Sequence, residues 1–319
     1  MTKPFFLSFF VTITLILTGC TSNEESKNIN HEKEQAQANE FAFTKAAAGR
    51  IEQIYGIGYP GNDNGLYLAT QEGLKVFTNN EWLEGNSENH EYVGFQATKD
   101  GFYASGHPEK GTNFKDPLGL IKSTDKGATF VDLAFYGEGD FHFLSAGYDT
   151  NILYVINEKE NPVLKAGVYR SEDEGQSWEP LLLNDLHADT VGMIATHPTN
   201  EQMMAMATRS GIYLSEDKGD HMRLVTEPVM VTALALSENY LYYAAVKNNK
   251  VLFYEMDLNT LNEVTLDLPF LNYDNPITYI AVDYKNDQTL SFSTYLFDVY
   301  QSMNHGENWD LIMKNGKIK

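Results

Sequence analysis

Short apolar or alternating runs, each broken by Gly, Asn, Asp or Pro, recur along most of the chain. A clear stretch reads Phe143 to Gly147, Ile152 to Ile156, Gly167 to Ser171 and Trp178 to Leu182. The next reads Val191 to Thr196, Met203 to Thr208, Gly211 to Ser215 and Met222 to Val225. Runs of this length with turn residues between them predict strands and hairpins. No segment keeps a 3.6-residue apolar period long enough to predict a helix. The pattern differs at the N-terminus. Phe5 to Thr18 is continuously apolar apart from small hydroxyl residues, and Thr21 to Lys45 is polar, with almost no large apolar residue before Phe41 (Ile29 is the exception).

The strand pattern is periodic. Four octets align: Ser123 to Phe130, Ser171 to Trp178, Ser215 to Met222 and Ser302 to Trp309. All fit S-x-[DN]-x-G-x-x-[aromatic or Met], and their starts differ by 48, 44 and 87 residues. The last interval is close to two periods, so a degenerate unit is expected near Asp257-Leu258-Asn259. Another is expected near Thr78 to Trp82, where a turn and a Trp are kept. Six four-stranded units between residues 46 and 319 predict an all-β fold, a six-bladed β-propeller, with seven blades as the alternative count.

The octets resemble the Asp-box, or BNR, repeat of sialidase- and sortilin-type propellers. On that resemblance each octet joins the third and fourth strands of a blade. Gly127, Gly175, Gly219 and Gly306 would tolerate a positive φ. Asp125, Asp173, Asp217 and Asn304 would accept backbone N–H groups across the turn, while Trp178 and Trp309 pack inward. Carboxylates spaced one per blade cannot converge on one ligand, so these positions are read as structural.

The apolar N-terminal stretch is fourteen residues, short for a bilayer span of about 20 but suited to a signal peptide. It ends in Leu17-Thr18-Gly19-Cys20, which resembles the bacterial lipobox. The resemblance implies cleavage before Cys20, a diacylglyceryl group on its sulfur and an acylated new N-terminus. The chain then divides into a signal peptide (1–19), a lipidated flexible tether (20–45) and the propeller (46–319). It would be a monomer, anchored outside the cytoplasm to the cell membrane.

Charge narrows the partners. With 44 acidic against 23 basic side chains the net charge is −21. That argues against nucleic acid, which needs a basic footprint, and against electrostatic adhesion to anionic lipid. One cysteine excludes an intramolecular disulfide. No dinucleotide, P-loop, G-x-S-x-G or H-E-x-x-H motif is present, and no cofactor is expected.

Candidate chemistry gathers between residues 93 and 144. Gly94-Phe95, Ala104 to Pro108, Pro117 to Asp125 and Gly137 to Leu144 resemble a group of exported bacterial BNR propellers described as glycosylhydrolase-like. Where that group carries His-x-His-Gly, this chain has Gln53-Ile54-Tyr55-Gly56. Sialidase chemistry is disfavoured, because the chain holds four arginines and Arg50-Ile51 is followed by Glu52. Blade-to-blade connections and second–third turns should share the face opposite the octets. That face collects Tyr55, Tyr92, His107, Phe114, Glu138, Phe141, Asp140, His142 and His187. Three readings follow: recognition of a glycan, peptide or envelope protein; glycoside hydrolysis by Glu138 and Asp140; or a metal site from His107, His142 and Asp140, joined by His90 or His187. An extended segment would put Glu138 and Asp140 roughly 6.5–7 Å apart on one side, a separation compatible with glycosidase carboxylates.

Overall fold

The computed structural model describes residues 40–318. The apolar segment, Cys20 and most of the expected tether lie outside the described residues. The fold is a six-bladed β-propeller with four-stranded antiparallel blades and, among the described residues, no helix. The blades run 54–85, 91–134, 143–180, 191–224, 230–266 and 277–313, each sheet following chain order from the axis outward. Both degenerate units are present. In blade 1, Asn79 and Asn80, both at positive φ, make a two-residue hairpin. In blade 5, Asp257 Oδ1 caps the turn by accepting the backbone N–H groups of Asn259 and Thr260.

A blade's second strand shows why the pattern is often continuously apolar. In Leu66–Thr70, Leu66 and Leu68 face blade 6 while Tyr67 and Ala69 face blade 2, all four essentially inaccessible. Blade 5 repeats this, with Leu241 and Tyr243 toward blade 4 and Tyr242 and Ala244 toward blade 6. A sheet buried on both faces needs apolar side chains on both. The core is therefore six clusters, one between each pair of neighbouring blades.

The octet turns share one geometry. In blade 3, Ser171 Oγ donates to Asp173 Oδ1 (2.8 Å) and accepts the Gly175 N–H (2.8 Å). Asp173 Oδ1 accepts the Ser177 N–H (2.8 Å), and Oδ2 accepts its hydroxyl (2.6 Å). Glu174 and Gly175 sit at φ of 58° and 89°. The Ser–Asp–backbone set recurs in blades 2 and 4. In blade 6, Asn304 Oδ1 still accepts the Asn308 N–H. The buried serine is thus as much a part of the turn as the carboxylate.

Ring closure joins blade 1 to blade 6. Trp82, largely buried, donates from Nε1 to the Ile312 carbonyl (3.0 Å). Tyr59 reaches Ser291 and Gln301, at 2.6 and 2.8 Å. Gly49–Arg50 pairs with Lys317–Ile318, and Phe43–Lys45 adds a fifth strand outside blade 1. Residues 43–45, inside the segment read as tether, therefore belong to the propeller, because Phe43 packs on the blade 1–2 cluster.

Trp82→Ala should lower unfolding stability by about 3–5 kcal/mol, the usual cost of emptying a buried Trp site. Equilibrium urea unfolding checks this. Acid sensitivity follows from Asp173, held below the usual carboxylate range first by the Ser177 hydroxyl and then by its backbone N–H. A depressed folded-state pKa contributes stability above the ordinary value of 3.8, lost as pH falls through the folded value. The urea midpoint should decline from about pH 5 to about pH 2, and Asp173→Asn should flatten part of that decline.

Candidate functional site

Inner strands from all six blades line an axial channel, with a cavity of about 130 Å3. Tyr59, Tyr148 and Tyr284 stand in first–second turns, on the octet face, and Tyr148 and Tyr284 pack at 4.4 Å between ring centroids. Tyr55, His142 and Tyr279 line the channel near the opposite face, at the starts of their strands. In five of the six blades the inner strand carries one extra residue near this end. Such bulges re-aim side chains. Tyr55 is the unpaired residue of blade 1, and its hydroxyl donates to Glu91 Oε2 on blade 2 (3.2 Å).

The polar cluster beside this mouth is built from three places. Glu91 and His107 are register partners on the first two strands of blade 2. Asp116 belongs to the loop between the second and third strands, fixed where the buried Leu118 donates its N–H to the Gly106 carbonyl (2.8 Å). Asp140 and His142 flank Phe141, which anchors the connection to blade 3. The Phe141 ring is fully buried, and its N–H donates to the buried Ser105 hydroxyl (3.0 Å). Gly94, at φ of 60°, lets the blade 2 inner strand approach the Phe141 carbonyl, since a Cβ there would lie 2.3 Å from that oxygen.

Asp116 Oδ1 lies 2.6 Å from His107 Nδ1, and Asp140 Oδ2 lies 3.4 Å from its Nε2. A ring facing carboxylate oxygens at both nitrogens satisfies both only as an imidazolium, which donates twice. Burial alone would lower the His107 pKa. The Asp116 hydrogen bond and the charges of Asp140, Asp116 and Glu91 outweigh it and hold the imidazole above its ordinary value. His142 Nε2 lies 2.9 Å from the same Asp140 oxygen. Asp140 Oδ1 is buried and has no hydrogen-bond partner within the chain. Burial first, then Glu91, pushes the Tyr55 phenol up to about 12, so it stays a donor at neutral pH.

Several sequence expectations need correction. Tyr92 and Phe141 are core residues, Tyr92 being packed edge-on against His90 and Phe102. Phe114 packs on Phe130 and the same cluster. His90 is buried and accepts the Glu109 N–H at Nδ1, so it does not join His107. His187 is exposed on the connection to blade 4, where its carbonyl accepts the Tyr213 hydroxyl, and none of the cluster's hydrogen bonds involves it. Glu138 is exposed in a turn closed by its own N–H to the Phe135 carbonyl (2.8 Å). The extended spacing assumed for Glu138 and Asp140 therefore does not apply. Among the described residues no three His, Cys, Asp or Glu side chains are arranged to hold a metal ion. The imidazoles of His107 and His142 instead share one carboxylate oxygen. Glu91 falls within the stretch 88–92 that the strand pattern assigns to this face, although the sequence does not single it out there; Asp116 and Tyr279 are not singled out at all.

No protein-family model matches the chain, and no curated protein matches it. Solved structures do. A GH74 xyloglucanase from Xanthomonas campestris superposes with a TM-score of 0.54 at 15% identity, over 85% of this chain and 47% of that one. An ancestral GH74 enzyme gives 0.52 at 16%, over 82% and 39%. An extracellular domain from B. thetaiotaomicron gives 0.50 at 13%, over 84% and 35%. The chain thus spans less than half the length of each. At these identities the likeness establishes the propeller fold.

Asp116→Asn and Asp140→Asn should each lower the titration midpoint of His107, because each removes a charge that favours the imidazolium. Imidazole resonances followed by NMR across pH 5 to 9, a window of about two units either side of neutrality, check the direction.

Proposed function

We propose that this is an extracytoplasmic, lipid-anchored propeller, acylated at Cys20, that recognises a ligand over the His107, Asp116, Asp140 and His142 cluster. Its octets act as Asp-box turns that stiffen the opposite face. The observation that carries this reading is Asp140, with one oxygen shared by two imidazoles and the other buried without a donor. A buried acceptor left unpartnered costs roughly 1–3 kcal/mol, which a donor from a ligand would recover. The complementary ligand donates hydrogen bonds, as glycan hydroxyls or a peptide ammonium do. An acidic rim of Glu91, Asp116 and Glu138 disfavours anionic ligands.

The turn geometry of Glu138 favours recognition over hydrolysis, since the second carboxylate is not held against the first. The fold likeness to GH74 enzymes keeps glycoside hydrolysis as the reading to test alongside it. Binding of glycan and peptide libraries to the mature chain, read by isothermal titration, should be saturable. His107→Ala and Asp140→Asn should each weaken it about tenfold or more, since hydrogen bonds to charged groups contribute about 1.5–3 kcal/mol, with the thermal midpoint retained. Unchanged affinity in both variants would remove the site assignment. Turnover of chromogenic glycosides that disappears in Asp140→Asn would instead make the protein a hydrolase.

A further inference from the structure

The exposed large apolar side chains are unevenly spread. Phe270 (93% exposed) and Tyr273 stand on the connection into blade 6, and Tyr295 and Leu296 on that blade's second–third turn, both at the face of the connections and second–third turns. Their two loops are tied to each other. The Tyr295 N–H donates to the Pro276 carbonyl (2.9 Å), and the Leu296 N–H donates to Asn275 Oδ1 (2.7 Å). Val163 and Leu182 are exposed on the same face. Met230 is exposed at the start of blade 5's inner strand, also at this face; among the described residues, Met303 is the large apolar side chain exposed on the octet face, and Val131, Leu224, Val264 and Leu311 lie on outer strands. Isolated exposed apolar residues are ordinary; a cluster of aromatic and aliphatic tips on paired loops marks an interaction surface.

The chain enters the propeller at that same face. Asn86, in the connection from blade 1 to blade 2, donates from Nδ2 to the Glu40 carbonyl (3.2 Å) and accepts the Ala42 N–H at Oδ1 (3.1 Å). Phe43 pairs with Gly85 at the same end of the outer strand. Blade 1 adjoins blade 6 through Trp82, so the entry point and the aromatic patch sit on neighbouring blades. Nineteen residues lie between Cys20 and Glu40. On the reading of this segment as a flexible tether, a leash of that length would reach about 25 Å on average, short enough to hold the propeller near a surface carrying Cys20.

We infer that the patch of Phe270, Tyr273, Tyr295 and Leu296 rests in the interface of the lipid bilayer, so that the propeller leans on blade 6. The inference rests on the lipid-anchor reading of Cys20. Phe, Tyr and Leu tips suit the boundary between headgroups and acyl chains. The contact is apolar, so the net charge of −21 does not oppose it on a zwitterionic surface. Lys314 is spent on the buried Asp298 (3.1 Å), and Asp267 and Asp274 are exposed in the same connection as Phe270 and Tyr273, so the contact relies on the apolar tips and on a zwitterionic rather than an anionic surface. Blade 3 stands across the ring from blade 6. The lean therefore lifts the cluster of His107, Asp140 and His142, on blade 2 and its connection to blade 3, away from the lipid and open to a ligand.

The test uses the full lipidated chain in phosphatidylcholine vesicles. Cys20 is the sole cysteine and would carry the lipid, so an introduced cysteine takes a polarity-sensitive fluorophore alone. Tyr273→Cys should report an apolar, salt-independent environment quenched by brominated lipid, and Met303→Cys should report water. Water at both positions, or burial at 303, overturns the inference while leaving the anchor reading standing. Mass spectrometry of the Cys20 peptide tests the anchor separately. If no lipid is found there, the same chain is floated with vesicles. Flotation weakened about tenfold by Phe270→Ser with Tyr295→Ser, as expected from lost apolar burial, then supports the patch, and absence of flotation overturns it.

Discussion

A four-stranded sheet of this chain has two apolar faces and cannot satisfy either by itself. Each of the six core clusters is shared by two blades, so burial of any sheet depends on both neighbours. A row of such sheets would leave two apolar faces in water. Closing the row removes both, and the join between blades 1 and 6 is the contact that completes it. It is reinforced by groups from distant parts of the chain: the Trp82 indole, the Tyr59 hydroxyl and the pairing of Gly49–Arg50 with Lys317–Ile318.

Closure also creates the site. Inner strands meeting around an axis leave a narrow channel, bordered on the octet face by tyrosines and at the other mouth by Tyr55, Tyr279 and His142. The octet turns keep their own face stiff and self-satisfied, since serine, carboxylate and backbone groups bond one another. The opposite face carries the longer connections, which is where polar groups with unspent bonding capacity accumulate. Phe141 shows how the two roles couple. Its buried ring fixes the backbone, and its neighbours Asp140 and His142 are thereby held at the surface within reach of His107.

Blade number, strand order and the octet turns were legible because they rest on local periodicity and turn chemistry repeated along the chain. Even the degenerate units at Asn79-Asn80 and Asp257 kept their turns. The site was only partly legible. His107, Asp140 and His142 stood out as residue types in a dense stretch, and they do meet. Tyr92, Phe141 and His90 carried the same signal, yet they point into the blade interfaces. A one-residue bulge reverses which face a side chain takes, and the sequence shows no bulge at Tyr55 or Gly94.

Local chemistry thus dictated the strands, their number and the tight turns, because each depends on residues a few positions apart. Which side chains became core, and which became a charged cluster, was settled by the packing of one blade on the next. Asp116, Asp140 and Glu91 reach His107 from a loop, a connection and a neighbouring strand. Their mutual distances exist only once blade 2 has folded and its connection to blade 3 has docked through Phe141, since the Coulomb and hydrogen-bond terms that hold the imidazolium act through space.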